Sequence, residues 1–311
     1  MDRLQRMRNV LSGVPVERPP FTAWVHLGTQ HTAPETTAEA HLHFFEAYHL
    51  DLLKVMNDSS YPMPRGIETL SSPEQLHALE PFNPAETPFG NQWTVIEILA
   101  RRMRGVALFV DTVFNAWNTL RRNVVKESIF TLMREAPDEL EAALKVVNEN
   151  LVRYAKGSLE RGAAGVFLAV PGGEENLTDA QFERFMKPFD LALLEAVREH
   201  GECHVVHAHG SRSCFERISG YPAHVISFDS QGAGPTLSEA RQKTAGVLMG
   251  GLEFSRFTSQ SAAEVRAQVR TAIDAGGQTR FILAPGCSLP TYVYPELMHA
   301  LTDELHRPRT V

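Results

Sequence analysis

Two histidines and a distant cysteine are the residues of this sequence best suited to binding a metal ion. His207 and His209 stand two positions apart in the run HAH, and Cys287 ends a later run, PGC. Residues two apart on an extended strand point to the same side, so both imidazoles could face one site. Zn²⁺ accepts His nitrogen and Cys sulfur, and three protein ligands with an open fourth position are typical of catalytic zinc. The spacing therefore indicates a zinc site that could hold a substrate thiol as a reactive thiolate.

The same three residues also have an interpretation without a metal. The two imidazoles could hydrogen-bond a substrate carboxylate, and Cys287 could be a small buried side chain without chemistry. An H-x-H pair is a weak motif by itself, so both interpretations stay open on spacing alone.

The elements that must position these residues are short apolar runs that alternate with helical patterns. Eight such runs are predicted as strands, at 21–25, 52–56, 106–110, 165–170, 204–207, 225–228, 247–251 and 281–284. Strands that alternate with helices pair in parallel, and eight is the number that closes a barrel. The alternative is a doubly wound open sheet, but no G-x-G-x-x-G follows the first run. The sequence predicts an α/β fold, a single (β/α)8 TIM barrel over residues 1–311.

Polar side chains follow each of the eight predicted strands. The loops carry His26, Asp58, Asp111, the run PGGEE at 171–175, His209, Asp229, Glu253 and Cys287. Barrel enzymes hold their active sites on the loops at the C-terminal ends of the strands, so these side chains are expected to meet at one rim. Taken singly, Asp58 and Asp229 could be helix caps or turn formers, positions that favour aspartate. Arg256, also in a loop, could clamp an anionic substrate group or be solvated.

Composition and charge limit the possible partners. The net charge of -7 argues against nucleic acid or an anionic membrane, since both require a basic surface. No apolar run approaches the roughly 18 residues of a membrane span. The three cysteines show no paired spacing, which is simplest for a protein of the reducing cytoplasm.

The chain resembles the uroporphyrinogen decarboxylase superfamily over nearly its whole length. The segments VVHAHG, VISFD, GVLMGGLE and RFILAPGCSLP are similar to the C-terminal half of that family, and RMRNVLSGVPVERPPF is similar to its opening helix and first strand. The decarboxylase itself is expected to grip its substrate with an arginine-bearing loop after the first strand. Residues 24–30 read WVHLGTQ here, without arginine, so decarboxylation of uroporphyrinogen is not expected, although Asp58 matches the essential aspartate of that enzyme.

The methylcobalamin:coenzyme M methyltransferase-like branch of the superfamily is the more similar one. The resemblance implies a zinc enzyme with ligands H-x-C and a distant Cys, and His207 and Cys287 fall on matching positions. His209 replaces the first Cys, which would make the metal less electron-rich, and a carboxylate that often follows the sixth strand is Ser230 here. Glu174 or Glu175 could compensate as a metal ligand or by holding an imidazole. The resemblance also implies a homodimer and a methyl donor that is a corrinoid protein; a small methylated compound is the alternative donor.

Together, these features predict a zinc-dependent methyltransferase acting on a thiol or similar soft nucleophile. The residues expected to act in catalysis are Asp58, Glu174 and His26. Those expected to contact the small-molecule substrate are Asp111, Asn115, Glu175, Asp229 and Arg256. The alternative is a metal-free decarboxylase or lyase for a small carboxylic acid, in which Asp58 and His26 manage protons. A third possibility is a non-catalytic protein that binds a corrinoid or tetrapyrrole.

Overall fold

A parallel β-sheet forms the centre of the computed structural model, which describes residues 1–171, 173, 177–210, 214–232 and 234–308. Within these residues the sheet has seven strands in chain order, each hydrogen-bonded to the next. They are β1 Leu52–Val55, β2 Leu108–Phe114, β3 Gly165–Val170, β4 Val205–Ala208, β5 Val225–Ser227, β6 Val247–Leu252 and β7 Phe281–Pro285. The strictly sequential order confirms the predicted α/β class and the parallel pairing of its strands.

Helices connect the strands and cover the outer face of the sheet. They are α1 Arg3–Ser12, α2 Pro34–Ala47, α3 Pro73–Leu76, α4 Pro88–Met103, α5 Ala116–Thr119, α6 Ile129–Glu135, α7 Pro137–Glu160, α8 Asp179–Phe185, α9 Lys187–Val197, α10 Phe215–Ile218, α11 Leu237–Lys243, α12 Ala262–Gly276 and α13 Pro295–Leu305. Shorter 3-10 turns lie at Pro84–Glu86, Lys126–Ser128 and Phe257–Ser259, and a π-helical turn lies at Leu120–Val125. Capping boxes begin several helices, including α12, where Ser261 and Glu264 satisfy each other's backbone amides as their spacing predicts. Among the described residues, no helix is both long and apolar enough to cross a membrane.

The predicted first strand at 21–25 is not a regular strand, and this corrects the expectation of a closed eight-stranded barrel. Only two isolated parallel bridges form there, from Phe21 to Leu283 and from Val25 to Leu289. On the other side, the Phe21 carbonyl accepts a hydrogen bond of 2.8 Å from the backbone N–H of Asp51, just before β1. The preceding residues are two prolines, which lack the amide protons that would extend a ladder. The segment therefore links β7 to β1 through a few backbone hydrogen bonds and not through a continuous ladder.

The inner face of the sheet is lined by alternate strand residues, as the two-residue period of a strand requires. One buried apolar cluster gathers Leu52, Val110, Phe167, Val205, Met249 and Ile282 from six strands with Trp24 and with Met7 and Val10 of α1. The outward residues belong to a second cluster beneath the helices. Because His207 and Lys54 share the inward register of Val205 and Leu52, their side chains belong to the interior.

Candidate metal centre

The C-terminal ends of β4 and β7 bring His207, His209 and Cys287 together. One ligand atom from each residue lies within 4.8 Å of the other two, and within the described chain no other group of three His, Cys, Asp or Glu residues is as close. The Cys287 Sγ is 3.6 Å from the His209 Nδ1. His207 belongs to β4, His209 lies just beyond it, and Cys287 follows the end of β7. The convergence predicted from the H-x-H spacing and the PGC segment is present in the geometry.

His207 is oriented by a serine on the neighbouring strand. Its Nδ1 is 3.0 Å from the Ser227 Oγ of β5, and both side chains are buried. The opposite ring nitrogen, Nε2, is buried and has no hydrogen-bond partner among the described residues. Burial lowers the pKa of His207 well below its ordinary value, and the charges of His209 and Lys54 lower it further. This direction favours the neutral ring at neutral pH, and the neutral imidazole is the form that binds a metal.

The unpartnered nitrogen is the observation that tests whether a metal fits. A buried polar atom without a partner costs roughly 1–3 kcal/mol, and buried polar groups nearly always have one. A metal ion among the three side chains would give the His207 Nε2 that partner, with Ser227 holding the other ring nitrogen. This is the usual arrangement of a metal-binding histidine. Two imidazoles and a thiol are a donor set that suits zinc.

The position of Cys287 depends on a glycine that packs against Asp229. The N–H of Gly286 donates to the Leu252 carbonyl at 3.0 Å. A Cβ added at Gly286 would lie 2.8 Å from the Asp229 Cα and 2.7 Å from its Oδ1, too close for any larger residue. Burial raises the pKa of the Cys287 thiol, and the Lys54 charge acts in the opposite direction.

Lys54 is a residue of this site that sequence reasoning missed. Its side chain is only 4% exposed, and its ammonium lies 4.6 Å from the ring centre of Phe167 and 5.3 Å from that of Trp24. Its Nζ is 2.6 Å from the Met56 Sδ. Burial lowers the pKa of Lys54 to about 7, against the attraction of Cys287. Its position in the strand could have indicated this, because Lys54 lies two residues after the inward-facing Leu52 and therefore shares its face.

His26 and Asp58 form a second polar pair near the mouth. The His26 Nδ1 is 2.7 Å from the Asp58 Oδ1, and the side chains are 49% and 20% exposed. The His26 carbonyl accepts a 3.0 Å hydrogen bond from Thr291 Oγ1, which follows Cys287 in the chain. Asp58 also lines a narrow cleft with Met56. The structure thus brings two of the expected catalytic residues together in an accessible position.

Asp111 is not placed where the sequence predicted it. Strand β2 continues to Phe114, so Asp111 lies inside the strand and not in a loop. It is fully buried, and its carboxylate accepts hydrogen bonds from Tyr154, Gln92 (3.1 Å) and Ser158 (2.7 Å) on the helical layer. The three donors hold the Asp111 carboxylate toward the helical layer. The prediction that Asp111 is a loop residue at the rim is therefore wrong.

Asn115 has a structural contact of its own. Its Oδ1 accepts a 2.9 Å hydrogen bond from the backbone N–H of Asn118 and caps α5. Its Nδ2 donates to the buried Asp190 at 2.9 Å. Both ends of the amide are therefore bound within the protein, which does not support the predicted substrate contact.

Asp229 and Arg256 each contact residues close to them in the sequence. Asp229 Oδ1 accepts from the backbone N–H groups of Gln231 (2.9 Å) and Gly232 (3.2 Å), as in a turn, although it borders the Cys287 loop. The Arg256 side chain is 80% exposed and lies 4.0 Å from Glu253. Within the described chain, the ion pair of Arg256 is with Glu253 and not with one of the three metal-ligand candidates. Glu174 and Glu175 lie outside the described residues.

Comparison with known proteins relates the sequence of this chain to a family. Two curated relatives are uroporphyrinogen decarboxylases: one from Cupriavidus pinatubonensis, 25% identical over 190 residues, and one from a Synechococcus species, 26% identical over 223 residues. The matches cover 58% and 63% of this chain but 51% and 61% of the relatives, so the chain spans about half to three fifths of their length.

Solved structures share the fold at low sequence identity. A methyltransferase from Methanosarcina mazei aligns with a TM-score of 0.79 at 18% identity and covers 98% of both chains. A B12-independent methionine synthase from Shewanella aligns with a TM-score of 0.51 at 14% identity and covers 68% of this chain and 65% of that one. These similarities concern the fold alone. The family model named uroporphyrinogen decarboxylase (URO-D) matches residues 3–308, and the chain belongs to that family.

Proposed function

We propose that this protein is a zinc-dependent methyltransferase of the URO-D superfamily that methylates a thiol or similar soft nucleophile. The observation that carries the proposal is the cluster of His207, His209 and Cys287, whose ligand atoms lie within 4.8 Å of one another. The buried His207 Nε2, which has no hydrogen-bond partner among the described residues, supports it. A zinc ion held there would bind the substrate sulfur and lower the thiol pKa, so that the sulfur is a thiolate at neutral pH.

The protein's own residues would divide the remaining work. Ser227 holds the His207 ring at Nδ1, which would leave Nε2 available to bind the metal. The Asp58–His26 pair would accept the proton that the thiol loses, since an imidazole bonded to a carboxylate is a suitable base. The sulfur then gains the methyl group, and the donor keeps the electron pair of the broken bond. Trp24 and Phe167, which contact the His207 ring, limit water around that side of the site.

A corrinoid is the methyl donor we propose, delivered by a corrinoid protein. The acceptor would be a small molecule and the protein a homodimer, and these two assignments rest on the family resemblance. A cytoplasmic location would follow from the three cysteines, which show no paired spacing. Uroporphyrinogen does not suit the site, because residues 24–30 lack arginines to pair with its carboxylates.

The experiment is methyl transfer from methylcobalamin to a small thiol, followed by the spectral change of the cobalamin. We expect turnover with zinc-loaded protein and its loss after chelation of zinc or in Cys287→Ser. If the chelated protein and Cys287→Ser both turn over as fast as the zinc-loaded protein, the zinc-dependent mechanism is refuted.

A second candidate is a metal-free decarboxylase or lyase for a small carboxylic acid. It is favoured by one observation, the 2.7 Å contact between His26 and Asp58 in an exposed position. In that enzyme Asp58→Asn would abolish release of carbon dioxide, and Cys287→Ser would leave it unchanged. The opposite dependence on Cys287 separates the two candidates.

A further inference from the structure

Two buried side chains of the helical layer hold the backbone of Met56, two residues before Asp58. Regular pairing of β1 with β2 ends at Val55, one residue earlier. The Met56 N–H donates to the His41 Nε2 of α2 at 3.0 Å, and the Met56 carbonyl accepts from the Gln92 Nε2 of α4 at 3.2 Å. Because both side chains are buried, water competes little for these hydrogen bonds. The chain that leaves β1 is therefore fixed by helices and not by a neighbouring strand.

His41 can make its two contacts only as a neutral imidazole in one tautomer. A backbone N–H only donates, so the Nε2 that faces Met56 must be an acceptor. The ring proton is then on Nδ1, which lies 2.8 Å from the Thr37 carbonyl and donates to it. Both ring nitrogens of a side chain that is 3% exposed are thus bonded to backbone groups. Burial lowers the pKa of His41 to about 4, which agrees with the neutral form that this geometry requires.

The same turn of α2 also reaches the loop that carries His26. The Thr37 Oγ1 donates to the Thr29 carbonyl at 3.1 Å, in the loop that follows His26. Thr37 and His41 are four residues apart, so their side chains lie on one face of the helix. One helical turn is therefore bonded to the backbone on both sides of the contact between His26 and Asp58.

The contact between His26 and Asp58 is too exposed to fix its own geometry. The two side chains are 49% and 20% exposed. An ion pair or hydrogen bond that water can reach contributes little, and ordering two loops to form it costs conformational entropy. The 2.7 Å separation of His26 Nδ1 and Asp58 Oδ1 therefore depends on a backbone that is already in place.

We propose that His41 is a positioning residue that sets Asp58 against His26, while Thr37 of the same helical turn holds the His26 loop. The inference rests on the proposed function only in taking the Asp58–His26 pair as the base. The placement of the pair is a property of the folded protein and can be measured without turnover. A reacting group displaced by about 1 Å can lose roughly 100-fold in rate, so a residue that fixes this backbone affects catalysis without touching the substrate.

The tautomer of His26 reports the contact directly. A carboxylate only accepts, so the hydrogen bond to Asp58 holds the proton of a neutral His26 on Nδ1. Long-range proton–nitrogen NMR spectra of protein with isotope-labelled histidine, recorded at alkaline pH, distinguish a proton on Nδ1 from one on Nε2. His26→Gln assigns the His26 signal, and Asp58→Ala gives the spectrum of the broken contact.

The variants separate loss of the anchor from its conservative replacement. His41→Leu fills the space but cannot accept from Met56, whereas the amide oxygen of His41→Gln can. His204→Leu is the matched control, because His204 is equally buried, its Nδ1 accepts from the Val166 N–H at 3.2 Å and its Nε2 is 3.1 Å from the Val197 carbonyl. His204 precedes β4, at the opposite end of the strands from the mouth. If His41→Leu does not fold, His41→Ala, which leaves room for a water molecule, takes its place.

We expect the His26 proton on Nδ1 in the unaltered protein, in His41→Gln and in His204→Leu, and a mixture of tautomers in His41→Leu, as in Asp58→Ala. In methyl transfer, His41→Leu should lower kcat about tenfold or more and leave zinc affinity unchanged. A fixed Nδ1 tautomer in folded His41→Leu, or an equal change in His204→Leu, would overturn the inference. If the unaltered protein transfers no methyl group, the proposed function fails, and the His26 spectra alone decide the role of His41.

Discussion

Replacing Ser227 with alanine removes the group that orients His207. His207 is 2% exposed, and Ser227 Oγ lies 3.0 Å from its Nδ1. Without the hydroxyl, a buried ring nitrogen loses its partner, at a cost of about 1–3 kcal/mol of unfolding free energy. Loss of a group that orients a metal-binding imidazole typically lowers metal affinity about 10–100-fold, and we expect a decrease in that range for Ser227→Ala. Competition with a chromophoric zinc chelator measures the affinity, and urea unfolding measures the stability.

Ser158→Ala is the matched control for this change. Ser158 is also fully buried, and its hydroxyl donates to Asp111 at 2.7 Å, away from the metal candidates. We expect a similar loss of stability in Ser158→Ala with unchanged zinc affinity. If Ser227→Ala binds zinc as tightly as the unaltered protein does, His207 is not a ligand held by Ser227. If both variants lose zinc affinity equally, the effect is one of general stability.

Three further changes test other parts of the structure. Gly286→Ala forces a Cβ against the Asp229 backbone, so we expect about 1–3 kcal/mol of lost stability and weaker zinc binding, whereas Gly220→Ala, which meets nothing within 4 Å, should change neither in the same urea and chelator assays. Burial raises the pKa of Asp190 to about 7, above its unfolded value, so its contribution to stability is full below about pH 4 and lost as the pH rises to about 7. In urea unfolding across that range, Asp190→Asn should gain stability relative to the unaltered protein by roughly 2–4 kcal/mol, and a difference independent of pH would contradict this. Asp58→Asn should slow methyl transfer and keep full zinc affinity by chelator competition, because Asp58 is outside the three ligands; loss of zinc would show that it is one of them.

The convergence of the metal candidates could be predicted because it depends on short-range rules. His207 and His209 follow the two-residue period of β4, and Cys287 follows a strand whose neighbours are fixed by parallel order. The fold class was predictable for the same reason, since apolar runs and capping boxes are local patterns.

Residues whose roles depend on distant partners could not be predicted in this way. An aspartate after an apolar run resembles a loop residue, but Asp111 remains inside β2 because Tyr154 and Ser158 of α7 satisfy its carboxylate. Lys54 appeared to be an ordinary charged residue, since its aromatic neighbours come from other parts of the chain. The irregular pairing at 21–25 likewise depends on how β7 and β1 approach it.

Elemental analysis of the purified protein tests the central claim most directly. Unaltered protein, His207→Ala and Cys287→Ser are prepared alike and dialysed against zinc-free buffer, and circular dichroism confirms that each is folded. The zinc-centre account predicts near-stoichiometric zinc in the unaltered protein and its loss in both variants. Protein that stays metal-free even after zinc is supplied, or variants that retain the metal, would contradict the account.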